Sequence, residues 1–278
     1  MKPIHPKDQA AIPAAAHGLN RRHLFGVAAG VAALATFGVT EASAQKTATA
    51  AIKAKNIVLV HGAWADGSCW LDVIPLLQAQ GFKVTSVQNP LTSLADDVAT
   101  TKRVLAMQDG PTVLVGHSYA GTVVSEAGVN PKVSSLVYVA ARAPDAGEDF
   151  VALSAKYPTM PVRAGTEEHD GFISLKQDAF LKYFASDVPH DKAMQLFAVQ
   201  QPIAKTLFTD RTTAAAWHTK PSWYAVSSQD QTINPDLERF LAKRMGATTI
   251  ELPSSHLSLV SHSKEIADLI LAAAGRQS

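Results

Sequence analysis

T-V-L-V-G-H-S-Y-A-G, running from Thr112 to Gly121, is the stretch on which the reading of this chain turns. Four β-formers, Thr112 to Val115, end at Gly116. Ser118 follows at once, ahead of the small residues Ala120 and Gly121 and the run Thr122, Val123, Val124. The pattern predicts a strand, a sharp turn and a helix. A serine on such a turn takes a strained backbone, and small residues two before and two after it let strand and helix approach closely, so that its hydroxyl stands clear of the sheet. The match to G-x-S-x-G is incomplete: Ala120 holds the second glycine position and Gly121 comes one residue late. On its own the stretch also fits a Gly-Ser turn that merely caps the next helix.

Working outward, Asn56 to Val60 reads as a short apolar strand of the kind buried on both faces of a parallel sheet, and it runs into His61-Gly62-Ala63-Trp64. A helix pattern follows around Cys69 to Gln80, ended by Gly81, then a strand at Lys83 to Val87 and a helix over Leu94 to Met107. Asp109-Gly110-Pro111 breaks that helix and delivers the chain into the serine strand. Beyond it, Asn130-Pro131 marks a turn and Val133 to Ala140 a further buried strand. From Arg142 to about Lys220 the strand rhythm stops. The segment carries spaced aromatic and Met residues, among them Phe150, Tyr157, Met160, Phe180, Phe184 and Phe208, as a helical cap over an apolar pocket would, or as a small core of its own. Strands resume at Trp223 to Ser227 and Thr248 to Leu252, with helices from Asn234-Pro235 to about Arg244 and from Ser263 to Ala274. The expected fold is α/β: a mostly parallel central sheet of about six strands, helices on both faces, and a helical cap insertion over about 142–220.

Ser118, Asp230 and His256 each fall just past the C-terminal end of a predicted strand, in the chain order Ser, Asp, His that one Ser-His-acid architecture uses. A hydroxyl is a weak nucleophile at neutral pH, so His256 would take its proton while Asp230 holds the imidazole tautomer. His262 sits in a helix-start setting and His117 packs beside the turn. Asp236 falls in a helix's first turn, where its charge suits the dipole. Acyl transfer also needs two backbone N–H groups aimed at the developing oxyanion, and Ala63 and Tyr119 are the natural suppliers.

The N-terminus has a different character. Arg21-Arg22 precede an apolar run from Leu24 to Val39, and Ala42-Ser43-Ala44 offers a small-x-small cleavage site, so residues 1–44 are expected to be a twin-arginine export signal and 45–278 a single α/β domain. That predicts a periplasmic or secreted protein without stable membrane association once the signal is removed. The first 44 residues carry four basic and two acidic side chains, which leaves 21 and 22 in the remainder and a formal charge of −1. Such a balance gives no electrostatic case for nucleic acid or anionic lipid. A single cysteine, Cys69, excludes an intramolecular disulfide. No HExxH, paired cysteines, G-x-G-x-x-G or P-loop sequence occurs, so neither a metal nor a cofactor is expected.

HGAWADGSCW near the start, GHSYAG at the elbow and SSHLSLVSHSKEIADLI at the end resemble the α/β-hydrolase superfamily, and within it the branch of plant methyl-ester esterases and hydroxynitrile lyases. The similarity runs from about Asn56 to the C-terminus and is loose across the cap. It implies a serine carboxylesterase acting on small or medium esters, with Ala63 and Tyr119 as oxyanion donors. The branch's trailing loop tryptophan maps to Trp70, and Trp64, Trp70 and Leu257 are expected to border the substrate pocket. Lyases of the branch carry a threonine after the loop histidine and a lysine after the catalytic histidine; here those positions hold Gly62 and Leu257. A lyase or perhydrolase on the same scaffold, and a ligand-binding protein with a vestigial triad, are the alternatives.

Overall fold

The computed structural model describes residues 54–276, so residues 1–44, expected from the sequence to be an export signal, lie outside the described residues. The central sheet is parallel throughout and runs in the order β2 (Lys83–Val87), β1 (Asn56–Val60), β3 (Thr112–His117), β4 (Val133–Val139), β8 (Ser222–Ser227) and β9 (Thr248–Leu252). Its first half comprises β1 (Asn56–Val60), α1 (Ile74–Gln78), β2 (Lys83–Val87), α2 (Leu94–Ala106), β3 (Thr112–His117), α3 (Ala120–Ala127) and β4 (Val133–Val139). Every residue of β1 and β3 is buried, as continuous apolar runs in the middle of a parallel sheet must be when helices cover both faces. Each fully buried Val or Leu there contributes roughly 1.5–3 kcal/mol of hydrophobic stabilisation. The chain leaves β1 to one side for β2 and returns to the other side for β3. The gap between the carboxyl ends of β1 and β3 is therefore the topological switch point at which open α/β sheets bind ligands.

The predicted helix over Cys69 to Gln80 is corrected to two short pieces: a 3-10 turn at Gly67–Trp70, capped by the Asp66 side chain, and α1. Pro75 is the reason, since it has no N–H for an interior helical bond and fits only the first turn.

The segment between β4 and the next sheet strand is mixed rather than helical. It holds α4 (Phe150–Ser154), a 3-10 turn at Pro161–Gly165, β5 (Thr166–His169), β6 (Phe172–Leu175), α5 (Gln177–Ala179) leading into a π turn at Phe180–Phe184, α6 (His190–Ala198) and β7 (Ile203–Ala204). β5, β6 and β7 form a second, antiparallel sheet. Its hairpin turns on Asp170-Gly171, both at positive φ (50° and 81°), a two-residue Asp-Gly loop whose twist suits paired strands.

The main sheet is completed by β8 (Ser222–Ser227), α7 (Pro235–Met245), β9 (Thr248–Leu252), α8 (Ser258–Ser261) and α9 (Ser263–Ala273). Asn234 caps α7 by accepting the Asp236 N–H at 2.9 Å, Pro235 takes its first position, and Gly246 ends it in the left-handed conformation. Among the described residues, no helix is long and apolar enough to cross a membrane.

Candidate active site

The turn after β3 holds Ser118 at φ 55°, a value that costs a non-glycine residue energy and that the surrounding contacts must enforce. Two glycines allow them. A Cβ on Gly116 would lie 2.7 Å from a Val124 methyl and 2.9 Å from the Ala120 carbonyl oxygen. One on Gly121 would lie 1.8 Å from the Arg142 carbonyl oxygen, so the late glycine of the motif is where α3 crosses the chain leaving β4. Ala120 is fully buried in the position a second motif glycine would take.

Ser118 Oγ stands 2.7 Å from His256 Nε2, and His256 Nδ1 stands 2.5 Å from Asp230 Oδ2. The histidine is wholly buried and the other two nearly so. The second Asp230 oxygen accepts the N–H groups of Thr232 (2.6 Å) and Ile233 (3.0 Å), which fixes the carboxylate after β8. Behind Asp230 lies Glu238, fully buried on α7, one oxygen of which accepts the Ser227 N–H at 3.1 Å while the other, Oε1, has no hydrogen-bond partner among the described residues. Burial, then the Asp230 charge, pushes the Glu238 carboxyl well above the usual range, toward the neutral acid.

Beneath the serine, His117 Nε2–H donates to the His256 carbonyl at 3.0 Å and its ring centroid lies 4.8 Å from that of His256. Burial holds His117 well below the usual imidazole value, with His256 the next influence. His262 lies elsewhere, at the start of α9, with Nδ1 3.0 Å from Ser261 Oγ. Asp236 pairs with Arg239 on the exposed face of α7.

The β1 loop closes the site from the other side of the switch point. His61, neutral through burial, donates from Nδ1 to the Gly62 carbonyl and accepts the Asn89 N–H at Nε2, which pins the loop. Gly62 faces Ser118: a Cβ there would lie 2.7 Å from Ser118 Cβ and 2.9 Å from the His117 carbonyl oxygen. The backbone N–H groups of Ala63 and Tyr119 have no acceptor among the described residues, and both residues line the same cavity as Ser118. Buried backbone donors are otherwise almost always paired, so two free ones beside a hydroxyl form a receptor for an oxygen anion. Tyr119 is anchored from below, its phenol donating to Asp97 Oδ2 at 2.9 Å.

The cavity measures about 260 Å³ and is walled by Trp64, Val162, Ile173 and Phe208 among others. Trp64, at φ 57°, donates its indole N–H to the Ile173 carbonyl of the cap, while Phe184 packs on both Trp64 and His256. Two expected pocket residues are corrected. Trp70 is wholly buried in the core and does not line this cavity, because the 3-10 turn rolls its ring inward. Leu257 is likewise buried, and faces a void of about 10 Å³ behind Trp64. Asp97, Glu238 and Arg142 were not anticipated. The first two sit on the apolar stripes of α2 and α7, and a carboxylate on such a stripe is a readable signal. Among the described residues, no His, Cys, Asp and Glu side chains are grouped as metal ligands would be.

A family model for the alpha/beta hydrolase family matches residues 57–269. The chain belongs to that family. Its similarity to a carbendazim hydrolyzing esterase of Nocardioides sp. is 31% identity over 137 residues, 44% of this chain and 56% of that relative. It is 24% identical to methylesterase 8 of Arabidopsis thaliana over 80% of this chain and 90% of that one. Among solved structures, a pyrethroid hydrolase from Sphingobium faniae JZ-2 shares this alpha/beta hydrolase fold with a TM-score of 0.69 and 21% identity, over 80% of this chain and 98% of that chain.

Proposed function

We propose that the protein is an exported serine carboxylesterase that cleaves small or medium esters through an acyl-enzyme. The observation that carries the reading is the continuous Ser118–His256–Asp230 contact at 2.7 and 2.5 Å, set beside the two free N–H groups of Ala63 and Tyr119. Ser118 Oγ attacks the ester carbonyl carbon as its proton passes to His256 Nε2. Asp230 holds Nδ1–H and steadies the imidazolium, and the carbonyl oxygen, now an anion, accepts from Ala63 and Tyr119. Collapse breaks the bond to the alcohol, which leaves with the proton from His256. Water, deprotonated by the same imidazole, then attacks the acyl-enzyme, so that ester and water become acid and alcohol and Ser118 is restored. Esterase and methylesterase relatives support hydrolysis. The lyase alternative lacks its threonine and lysine at Gly62 and Leu257.

The purified protein should hydrolyse aryl esters, form a covalent adduct at Ser118 with a fluorophosphonate, and lose roughly 10³-fold or more in rate on Ser118→Ala. Rapid mandelonitrile cleavage with aryl esters untouched would overturn the reading. Export rests on Arg21-Arg22 and Ala42-Ser43-Ala44; mass spectrometry should find the exported chain starting near Gln45, and an intact N-terminus on cytoplasmic protein would refute it.

A further inference from the structure

The cavity over Ser118 carries positive charge that ester hydrolysis does not use. Arg142 and Arg163 both line it, and both also line an adjoining cavity of about 190 Å³ whose walls include Phe150, Tyr157 and Met160. No residue lining either cavity is an aspartate or a glutamate. Neither arginine enters an ion pair among the described residues, whereas Arg211, Arg239 and Arg244 each meet a carboxylate within 3.0 Å.

Arg142 is also held in place. Its backbone N–H donates to the Ser118 carbonyl at 3.0 Å, and the Tyr224 hydroxyl clamps the N–H and carbonyl of Ala141 just before it. Its guanidinium lies 5.1 to 5.9 Å from the ring centroids of Phe150, Phe208 and Tyr119. Burial lowers its pKa to about 10, with Tyr119 and Arg163 as lesser influences, so it stays charged at neutral pH. Thr232, shared by both cavities, has a buried hydroxyl oxygen without a hydrogen-bond partner. A half-buried guanidinium with no counter-charge is costly, and the fork of its N–H groups matches a planar carboxylate.

We infer that Arg142, with Arg163 and Thr232, forms a carboxylate-binding subsite, so that the preferred substrate is an ester bearing a free carboxylate on the same molecule. The inference rests on the ester-hydrolase reading and adds the charge of the substrate to it. The ester group lies over Ser118 and the acid group reaches toward the junction of the two cavities.

Two probe pairs place the charge on either side of the ester: 3-acetoxybenzoate against phenyl acetate, and the mono-4-nitrophenyl ester of succinate against 4-nitrophenyl butyrate. At least one anionic member should exceed its neutral partner by about tenfold or more in kcat/KM, mainly through KM, as a charge-assisted hydrogen bond allows. Arg142→Gln should abolish that ratio, Arg142→Lys should keep part of it, and Arg163→Gln should reduce it. The Lys and Arg163 variants decide the matter if Arg142→Gln fails to fold. Binding of both 3-acetoxybenzoate and phenyl acetate to Ser118→Ala, followed by tryptophan fluorescence to which Trp64 in the cavity contributes, gives a readout independent of turnover. Neutral esters preferred in both pairs, or an anionic preference that survives Arg142→Gln, would overturn the subsite and leave the esterase reading intact. If no ester is turned over and Ser118 takes no fluorophosphonate, the esterase reading fails. Selective binding of the anionic probe to Ser118→Ala then upholds the subsite, and equal binding of the two removes it.

Discussion

The phenol of Tyr119 donates to a carboxylate oxygen of Asp97 at 2.9 Å, tying the residue just after the serine to the first turns of α2, 22 positions earlier in the chain. The other Asp97 oxygen accepts the Leu91 N–H at 2.9 Å. The backbone N–H of Tyr119 is therefore set by a side-chain anchor as well as by the turn. Tyr119→Phe leaves a buried carboxylate oxygen without its donor. It is expected to cost about 1–3 kcal/mol in urea unfolding and to lower ester turnover, which steady-state kinetics would measure.

The same pair gives stability a pH dependence. Burial pushes Asp97 up to about 6, and the bonds from Leu91 and Tyr119 only partly offset that. An unfolded chain titrates aspartate near about 3.9. A folded value above the unfolded one means that the native state holds the extra proton between the two. This group's stabilisation is therefore complete below about pH 4 and lost as pH rises through about 6, a change of about 3 kcal/mol at most. The difference in unfolding free energy between the wild type and Asp97→Asn should shift by that order between pH 4 and 7. Parallel curves for the two proteins would rule the linkage out.

Gly62 is a steric requirement of the site. With a Cβ at 2.7 Å from Ser118 Cβ, Gly62→Ala must displace Ser118 or the Ala63 loop. Since misplacing one oxyanion donor costs about 10²–10³-fold in kcat, a loss of about 10²-fold is expected. Wild-type rates in the variant would show that the loop yields without consequence.

Burial and the neighbouring Asp230 charge both disfavour a charge on Glu238, so a neutral amide should replace it. Glu238→Gln keeps the acceptor for the Ser227 N–H and carries no charge. It should stay within a few-fold of wild-type turnover, while Glu238→Ala, which strands the Ser227 N–H and opens a cavity, should lose about 2–4 kcal/mol of stability. Equal losses in thermal melts and turnover for the two variants would show that an amide does not replace the carboxyl.

Gly121→Ala should be the most damaging of the small changes. Its Cβ would sit 1.8 Å from the Arg142 carbonyl oxygen, a backbone atom that cannot rotate away. Destabilisation of about 2 kcal/mol or more is expected from calorimetry, because overpacking against backbone forces α3 off the sheet.

What could be read along the chain was whatever repeats or turns within a few residues. The unbroken apolar runs of β1 and β3 marked a parallel sheet covered on both faces, Gly116 with Ser118 marked the sharp turn, and Asn234-Pro235 marked the start of α7. Asp170-Gly171 carried a hairpin signal of the same local kind, and Pro75 the break before α1. The tertiary structure decided everything that depends on which surfaces meet. It set Asp97 under Tyr119, Glu238 behind Asp230, and the Arg142 carbonyl against Gly121; it rolled Trp70 into the core and left Trp64 at the cavity. Ser118 and His256 likewise meet from 138 residues apart, and no local period encodes such pairs. They follow from strands and helices closing on one another at van der Waals distance, where a carboxylate on an apolar stripe finds its partner only once the opposing element is in place.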